Sequence, residues 1–211
     1  MNRAVPRAIS VLIADDNSVV RAVLRDMLSA GSGIEVVGEA AEGAEALRLA
    51  TALRPDVTLL DHRMPVHDGL SVVAAISQIS RVLMLTRSAE DDIVVFAIRA
   101  GALGYLIHGQ FGPAELLAAV RSVAAGEAHL SPSAARALIG ALRAAPADQH
   151  GLTRREVEVM NLIERGYTNA DIAATLVLSP KTVENHVNHI YAKLGASGRP
   201  AAVAIWRGSR R

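Results

Sequence analysis

The 211-residue sequence contains no cysteine, which excludes a disulfide framework and any metal site built from thiolates. This absence is typical of proteins that work in a reducing cytoplasm. No apolar run approaches the roughly 18 residues that a membrane-spanning helix needs, and the segment before the first acidic residues is too short for an export signal. We therefore expect a soluble cytoplasmic protein without a membrane partner.

Lysine is nearly absent as well, and its distribution divides the chain. The only two lysines are Lys181 and Lys193. From His150 onward there are nine Lys or Arg against five Asp or Glu, a net +4, whereas the first 149 residues have 13 Arg against 16 acids, a net −3. With 51% hydrophobic residues the chain has room for one full domain and a small one. The charge partition indicates a polyanionic partner for the C-terminal part only.

Residues 179–194 predict a helix with two chemically opposite faces. Ser179 is a suitable N-cap and Pro180 a suitable first residue. Four apolar residues fall within one narrow stripe: Val183, Val187, Ile190 and Leu194. The opposite side carries Lys181, Asn185, Asn188 and Ala192. One face of the helix can pack on a core while the other contacts DNA.

Two capping patterns precede this helix. Thr153 with Glu156, and Thr168 with Asp171, each stand before apolar residues at helical spacing, and the second pattern predicts a helix over 169–175. Only the short segment 176–179 separates that helix from the amphipathic one. Two helices joined in this way predict a helix-turn-helix, whose second helix enters the major groove.

The stretch 152–206 resembles the DNA-binding domain of LuxR-type regulators. The matching residues are Leu152, Thr153, Arg155, Glu156, Glu158, Val159, Gly166, Asn169, Ile172, Ala173, Ser179, Lys181, Thr182, Val183, His186, Val187, Ile190, Lys193 and Leu194. Because the positive charge of one copy is modest, we expect a homodimer on two half-sites of promoter DNA. We predict that Asn185 and Asn188 contact base edges, and that Lys181, Thr182 and Lys193 contact phosphates. His186 and His189 fit packing or a phosphate contact better than a metal site, since no third ligand lies nearby in the sequence.

The first 128 residues alternate strand and helix. Apolar, β-branched runs cover residues 9–14, 34–40, 57–60, 82–86 and 104–107, with helical spacing between them. This alternation predicts a doubly wound α/β fold with a five-stranded parallel sheet, followed by a small all-α helix-turn-helix domain. In such sheets the chemistry collects at the carboxyl ends of the strands.

Polar residues stand where these predicted strands end: Asp15, Asp16, Asp61, Thr86 and His108. Three carboxylates at one edge repel one another and need a cation, and oxygen ligands favour Mg²⁺. A lone Asp at a strand end is often a helix cap instead, but three beside a threonine favour the cation site.

Residues 10–126 resemble the receiver domain of two-component response regulators. The resemblance lies in VLIADD, PDVTLLDHRMPVHDG, LMLT and AGALGYLI. It implies a flavodoxin- and CheY-like sheet with Asp61 as the phosphoacceptor and a sensor histidine kinase as partner. Implied Mg²⁺ ligands are Asp16 and Asp61 directly, Asp15 through water, and the Arg63 carbonyl. Thr86 and Tyr105 would respond to the phosphoryl group. A receiver joined to a LuxR-type domain is typical of the NarL/FixJ family.

One position departs from that pattern. Receivers carry a lysine just after the fifth strand, and this chain has His108 there and no lysine before residue 181. Histidine is shorter and only partly charged at neutral pH. Three interpretations stay open: His108 is a weaker, pH-dependent substitute; phosphorylation occurs without switching the domain; or the receiver is a phosphate-independent dimerisation or ligand-sensing module. Arg87, beside Thr86, either crowds the mouth of the pocket or points to solvent.

A different class of protein, an aspartyl phosphohydrolase, also combines Asp and Mg²⁺. Such enzymes usually carry a second Asp two residues after the nucleophile, and Arg63 stands in that place, so we expect a regulator and not an enzyme. The predicted organisation is a receiver over 1–128, a linker helix (131–143) and tether over 129–149, and a DNA-binding domain over 150–211.

Overall fold

The chain consists of two compact units, Met1–Ala141 and Leu142–Arg211. A computed structural model describes residues 7–64, 69–87, 91–143, 150–176, 178 and 180–208. Within these residues no helix combines the length and the apolar character that a bilayer crossing demands. The predicted N-cap Ser179 and the tether residues 144–149 lie outside the described part of the chain.

The first unit is a parallel sheet with helices between its strands. The strands are β1 (Ile9–Ala14), β2 (Ile34–Ala40), β3 (Val57–Asp61), β4 (Arg81–Thr86), β5 (Ala102–Ile107) and β6 (His129–Leu130). The helices are α1 (Ser18–Ser29), α2 (Gly43–Leu53), α3 (Gly69–Ser77), α4 (Asp91–Arg99), α5 (Pro113–Ala124) and α6 (Pro132–Arg143). The strand order is β2-β1-β3-β4-β5-β6. The predicted doubly wound α/β fold and its five strands are confirmed.

Alternation along the strands builds two cores, one on each face of the sheet. In β1, Val11 and Ile13 join one buried cluster, whereas Leu12 and Ala14 join the other. Leu59 and Leu60 of β3 divide in the same way. Because both faces are covered, the strands lack the polar alternation of a half-exposed sheet, which explains their continuous apolar runs.

A sixth strand and the helix after it were not predicted as part of this unit. Strand β6 pairs in parallel with β5, with Gly104 opposite His129 and Tyr105 opposite Leu130. The predicted N-cap Ser131 accepts a hydrogen bond from the Ala134 N–H at 3.3 Å, and α6 begins at Pro132 as expected. Ala134 and Ala137 are buried in the core of the first unit. Strand β6 and the first part of α6 therefore contribute to the first unit, and the predicted division into receiver, linker and DNA-binding domain stays a prediction.

The second unit is helical: α7 (Arg154–Glu164), α8 (Asn169–Leu176), α9 (Pro180–Leu194) and α10 (Arg199–Gly208). Thr153 and Glu156 form the predicted capping box of α7. At α8 the Thr168 Oγ1 accepts from the Asp171 N–H at 3.2 Å. Helix α10 adds a fourth element, and its Trp206 is buried in the same core.

A buried carboxylate ties α7 to α9. Glu156 is only 3% exposed, and its Oε2 accepts hydrogen bonds from the Thr153 N–H at 2.7 Å and from the Lys193 ammonium at 2.5 Å. The same side chain thus completes a helix cap and pairs with the end of another helix.

Replacing Glu156 with alanine should destabilise the second unit by about 3 kcal/mol, because it removes the cap and leaves the Lys193 charge without its partner. Urea unfolding followed by fluorescence of Trp206, the only tryptophan of the chain, reports this unit directly. The matched control is Glu158→Ala, which removes a half-buried carboxylate that pairs with Arg154 and Arg155 and should cost at most about 1 kcal/mol. Equal losses in the two variants would contradict the structural role of Glu156.

Candidate functional site

Four polar side chains meet at the carboxyl edge of the sheet. Asp15 follows β1, Asp61 ends β3, Thr86 ends β4 and His108 follows β5. Since these strands are parallel and adjacent, their ends lie at one edge. Asp15 is 3% and Asp61 5% exposed, and Thr86 is buried too. The sheet therefore holds two carboxylates in a largely dehydrated pocket.

His108 faces both carboxylates. Its Nε2 lies 3.5 Å from the Asp15 Oδ2 and 3.9 Å from the Asp61 Oδ1. The backbone N–H of His108 donates to the Thr86 carbonyl at 2.7 Å, which continues the β4–β5 pairing and fixes where the side chain begins. Phe111 packs beside the imidazole with ring centroids 6.2 Å apart. Asp15, Asp61 and His108 offer ligand atoms that all lie within 4.8 Å of one another.

Asp16 differs from its neighbour Asp15. Its side chain is exposed, and it is not a member of the cluster that Asp15, Asp61 and His108 form. Asp15 is oriented inward, and its Oδ1 accepts a hydrogen bond from the Asn17 N–H at 2.8 Å. The assignment of Asp16 as a direct Mg²⁺ ligand and of Asp15 as a ligand through water stays a prediction.

Burial perturbs the ionisation of this pocket. Desolvation and the nearby charge of Asp15 raise the pKa of Asp61 to about 7. Backbone hydrogen bonds from Arg63 and His62 act in the opposite direction and only partly offset this rise. Burial also raises the pKa of Asp15. For His108, burial lowers the pKa, Asp15 opposes this shift and the exposed Arg87 adds to it. Without a cation, the pocket disfavours charge on all three side chains.

The backbone around Asp61 is closely confined. A Cβ atom at Gly69 would lie 2.0 Å from the Asp61 carbonyl oxygen, so only glycine fits at the start of α3. The Gly69 N–H donates to the His62 carbonyl at 3.0 Å, and the Arg63 N–H donates to the Asp61 Oδ2 at 3.2 Å. This close contact of Gly69 was not predicted from the sequence, in which the glycine is only the last residue of the segment PDVTLLDHRMPVHDG.

Tyr105 and Thr86 lie on the two strands that flank the pocket. Tyr105 is fully buried in the core formed with α3 and α4 residues, and its carbonyl accepts from the Ser131 N–H at 2.9 Å. Thr86 pairs with Ile107 in the β4–β5 register. The switching roles of both side chains stay predictions.

The faces of α9 are as the sequence predicts on the apolar side. Val183, Val187 and Ile190 are buried, with Leu194 at the end of the stripe. On the polar side Asn188 is exposed, and Asn185 and His189 are half-buried. Two predicted phosphate contacts have other surroundings: Thr182 is buried, and Lys193 is paired with Glu156. The side chain of Lys181 lies outside the described part.

Both units of the chain match known protein families. Residues 11–121 match the model of the response regulator receiver domain, and residues 150–206 match that of the bacterial regulatory proteins of the luxR family. The chain is 40% identical over 209 residues to the probable transcriptional regulatory protein NarL of Mycobacterium tuberculosis, covering 97% of this chain and 96% of the relative.

Two further relatives agree. The DNA-binding transcriptional activator DevR/DosR of M. tuberculosis is 40% identical, with 93% of each chain covered. The crystal structure of the response regulator ChrA, from a heme-sensing two-component system, is 34% identical with a TM-score of 0.54, covering 96% of this chain and 98% of that one.

The chain belongs to the NarL/FixJ family of response regulators. It is therefore a DNA-binding transcription regulator with a receiver, the first unit, and a LuxR-type helix-turn-helix, the second. Within this family pattern, His108 stands where the resemblance places a lysine.

The raised pKa of Asp61 has a consequence for stability. Its folded pKa of about 7 exceeds the ordinary value of 3.8, so the folded receiver binds more protons than the unfolded chain between these values, and stability falls as the pH rises through that window. In metal chelator, Asp61→Asn should therefore stabilise the receiver by a few kcal/mol at about pH 8, and the gain should shrink towards about pH 4. Unfolding followed by circular dichroism detects both units, and Trp206 fluorescence detects the second unit alone. Comparing the two signals gives the change in the stability of the receiver.

The matched control for this measurement is Asp16→Asn, which removes an exposed carboxylate next to the pocket. Its effect should stay within about 0.5 kcal/mol at either pH. A gain for Asp61→Asn that did not change with pH would contradict the burial of a charged carboxylate as its cause.

Proposed function

We propose that Asp61 is the phosphoacceptor of this regulator and that its phosphorylation controls pairing of two copies and promoter binding. The observation that carries the proposal is the position of the Asp61 carboxylate. The Arg63 N–H engages Oδ2, whereas Oδ1 lies towards His108 and Asp15 across the pocket. One oxygen is therefore held by the Arg63 N–H, and the other faces the atoms of the cluster.

The reaction is a phosphoryl transfer from a phosphohistidine of a sensor kinase or from a small phosphodonor. A carboxylate oxygen of Asp61 forms a bond to phosphorus as the bond between phosphorus and the donor breaks, and the donor leaves with the electron pair. Because burial raises the pKa of Asp61 to about 7, only part of the population carries the ionised nucleophile at neutral pH in the absence of a cation.

The donor set fits Mg²⁺, since carboxylate and carbonyl oxygens are its preferred ligands. The residues that would hold it are Asp15, Asp16, Asp61 and the Arg63 carbonyl. When bound, the ion supplies positive charge that favours the ionised Asp61 and offsets the charge of the phosphoryl oxygens.

Thr86 and Tyr105 are the proposed response elements. Thr86 ends β4 next to Asp61, where its hydroxyl would donate to a phosphoryl oxygen and draw the strand end inward. Tyr105 follows on the neighbouring strand and is already packed in the core. Their joint rearrangement would change the β4–β5 side of the receiver and thereby the pairing of copies.

A second candidate function is regulation without phosphate, with the receiver as a constitutive dimerisation or ligand-sensing module. The observation that favours it is the absence of lysine before residue 181, together with the lowered pKa of His108. Because burial lowers the pKa of His108 from its ordinary value, this side chain gives the phosphoryl group less of the permanent charge that a lysine would supply.

The intact mass of the full chain separates these candidates. After incubation with Mg²⁺ and acetyl phosphate, we expect one added phosphoryl group that Asp61→Asn abolishes and Asp16→Asn only reduces. Sedimentation of the same samples should show a larger dimer fraction in the phosphorylated protein. An unchanged mass, with DNA binding unaltered in Asp61→Asn, would instead support the phosphate-independent candidate.

In the second unit we propose that α9 reads the major groove through Asn185 and Asn188, with Lys181 and His189 near the phosphates, whereas the buried Thr182 and the paired Lys193 would need to rearrange before they could contact a phosphate. The exposed position of Asn188 and the half-buried positions of Asn185 and His189 support this face. The partner is double-stranded promoter DNA, bound by a homodimer. A protein that binds promoters works where the chromosome is, so we place its action in the cytoplasm.

Substitution on the two parts of this face should have different effects. Asn185→Ala should cost about 1–3 kcal/mol on the preferred site and relax base preference, whereas Lys181→Ala should weaken all duplexes alike and reduce the salt slope by about 1. Binding sites selected from random duplexes provide the DNA, and a fused leucine zipper enforces the dimer. The charge control is Arg207→Ala, which removes one cation at an exposed position of α10. No binding at low salt by the enforced dimer would refute the proposed DNA contacts.

A further inference from the structure

The pocket contains a nitrogen atom whose surroundings Mg²⁺ chemistry does not explain. The Nε2 of His108 is buried and has no hydrogen-bond partner among the described residues. Buried polar atoms are rarely left in this state, because the missing bond to water is not replaced. Its nearest polar neighbours in the cluster are carboxylate oxygens of Asp15 and Asp61, at 3.5 and 3.9 Å.

These three atoms come from three different strand ends and are arranged around one point. All of them lie within 4.8 Å of one another. A transition metal binds nitrogen and oxygen at about 2.0–2.2 Å, which places two ligands of one ion about 3.0–3.5 Å apart. The separation of His108 and Asp15 already meets this spacing, and the other separations exceed it by amounts that side-chain rotation can remove.

The type of the third side chain decides which cation fits. A lysine ammonium has no lone pair and cannot bind a metal, whereas a neutral imidazole is a common metal ligand. Nitrogen raises affinity for first-row transition metals, whereas Mg²⁺ prefers oxygen alone. Two carboxylates also balance the two charges of such an ion, so the occupied pocket would be neutral.

We propose that Asp15, Asp61 and His108 form a two-carboxylate, one-imidazole site that binds a divalent first-row transition metal such as Zn²⁺ or Co²⁺ in preference to Mg²⁺. Occupation gives the Nε2 of His108 a partner and removes the repulsion between the two carboxylates. The site shares its pocket with the proposed phosphoacceptor but needs neither phosphorylation nor DNA. A metal bound there engages Asp61, so it links the state of the receiver to metal supply.

The test uses the full chain, stripped of metal with a chelator, and Co²⁺ as the probe. We expect one Co²⁺ per chain with visible absorption bands that change on imidazole ligation, and calorimetry should give Zn²⁺ at least about tenfold higher affinity than Mg²⁺. Loss of partners outside a metal's own ligands commonly costs about 10–100-fold, so loss of the direct ligand in His108→Asn should cost at least about tenfold for Co²⁺. Mg²⁺ affinity should change much less.

Two variants localise the effect. His129→Asn, a histidine of β6 outside the cluster, should bind Co²⁺ like the parent chain. His108→Lys introduces the residue expected at this position in a receiver, and it should lose Co²⁺ while keeping Mg²⁺, even if His108→Asn folds poorly. Equal affinity for Co²⁺ in the parent chain and His108→Lys, or loss of Co²⁺ binding in His129→Asn, would overturn the proposal. Phosphorylation by acetyl phosphate is scored separately, so its failure leaves this result intact.

Discussion

Asp15 and Asp61 are buried side by side because β1 and β3 are hydrogen-bonded neighbours whose carboxyl ends meet at one edge of the sheet. Ala14 and Leu60, the residues just before them, pair directly, so the strand register fixes the backbone positions from which both side chains extend. Desolvation raises the pKa of both carboxyls, and the charge of Asp15 raises the pKa of Asp61 further. Positive charge near the two side chains would therefore stabilise their ionised forms. The other pocket residues differ mainly in how much positive charge they supply.

The side chains that could supply this positive charge are His108 and Arg87, and neither is equivalent to a lysine in the pocket. A lysine would place a permanent charge in the pocket, whereas His108 brings a side chain whose pKa burial lowers. Arg87 is the exposed residue that follows β4, and its charge influences the pKa of Asp15 from outside the pocket. We therefore expect the ionisation of Asp61 to depend on a bound cation more strongly than it would in a pocket that contains a lysine.

Features set by local sequence could be predicted, and features set by distant contacts could not. The five strands could be predicted from apolar runs. The caps at Thr153 and Ser131 could be predicted because each side chain accepts a hydrogen bond from the backbone N–H three residues later. Strand β6 is only two residues long and exists because β5 offers a free edge, so no periodicity marks it. The burial of Ala134 and Ala137 of α6 likewise depends on core residues that are distant in the sequence.

The site shows the same division. The carboxylates and His108 were found because strand order places them at one edge, but the close approach of Gly69 to the Asp61 carbonyl joins residues across a loop and has no local signature. The inward position of Asp15 and the outward one of Asp16 depend on how the chain turns after β1. Similarly, Lys193 looked like a phosphate ligand by spacing, but its partner Glu156 is 37 residues away.

That last ion pair bears on how DNA binding is controlled. With Lys193 engaged by Glu156, a smaller part of the net +4 of the second unit is available to phosphates. Affinity for duplex rises steeply with the number of phosphates neutralised, so a single copy binds weakly. In the proposed homodimer, two copies held together would bind two half-sites at the effective concentration of their linkage, which raises affinity by about 10²–10⁴ without a new contact. Under the proposed control by pairing, weak recognition by each copy would let a small change in receiver pairing produce a large change in promoter occupancy.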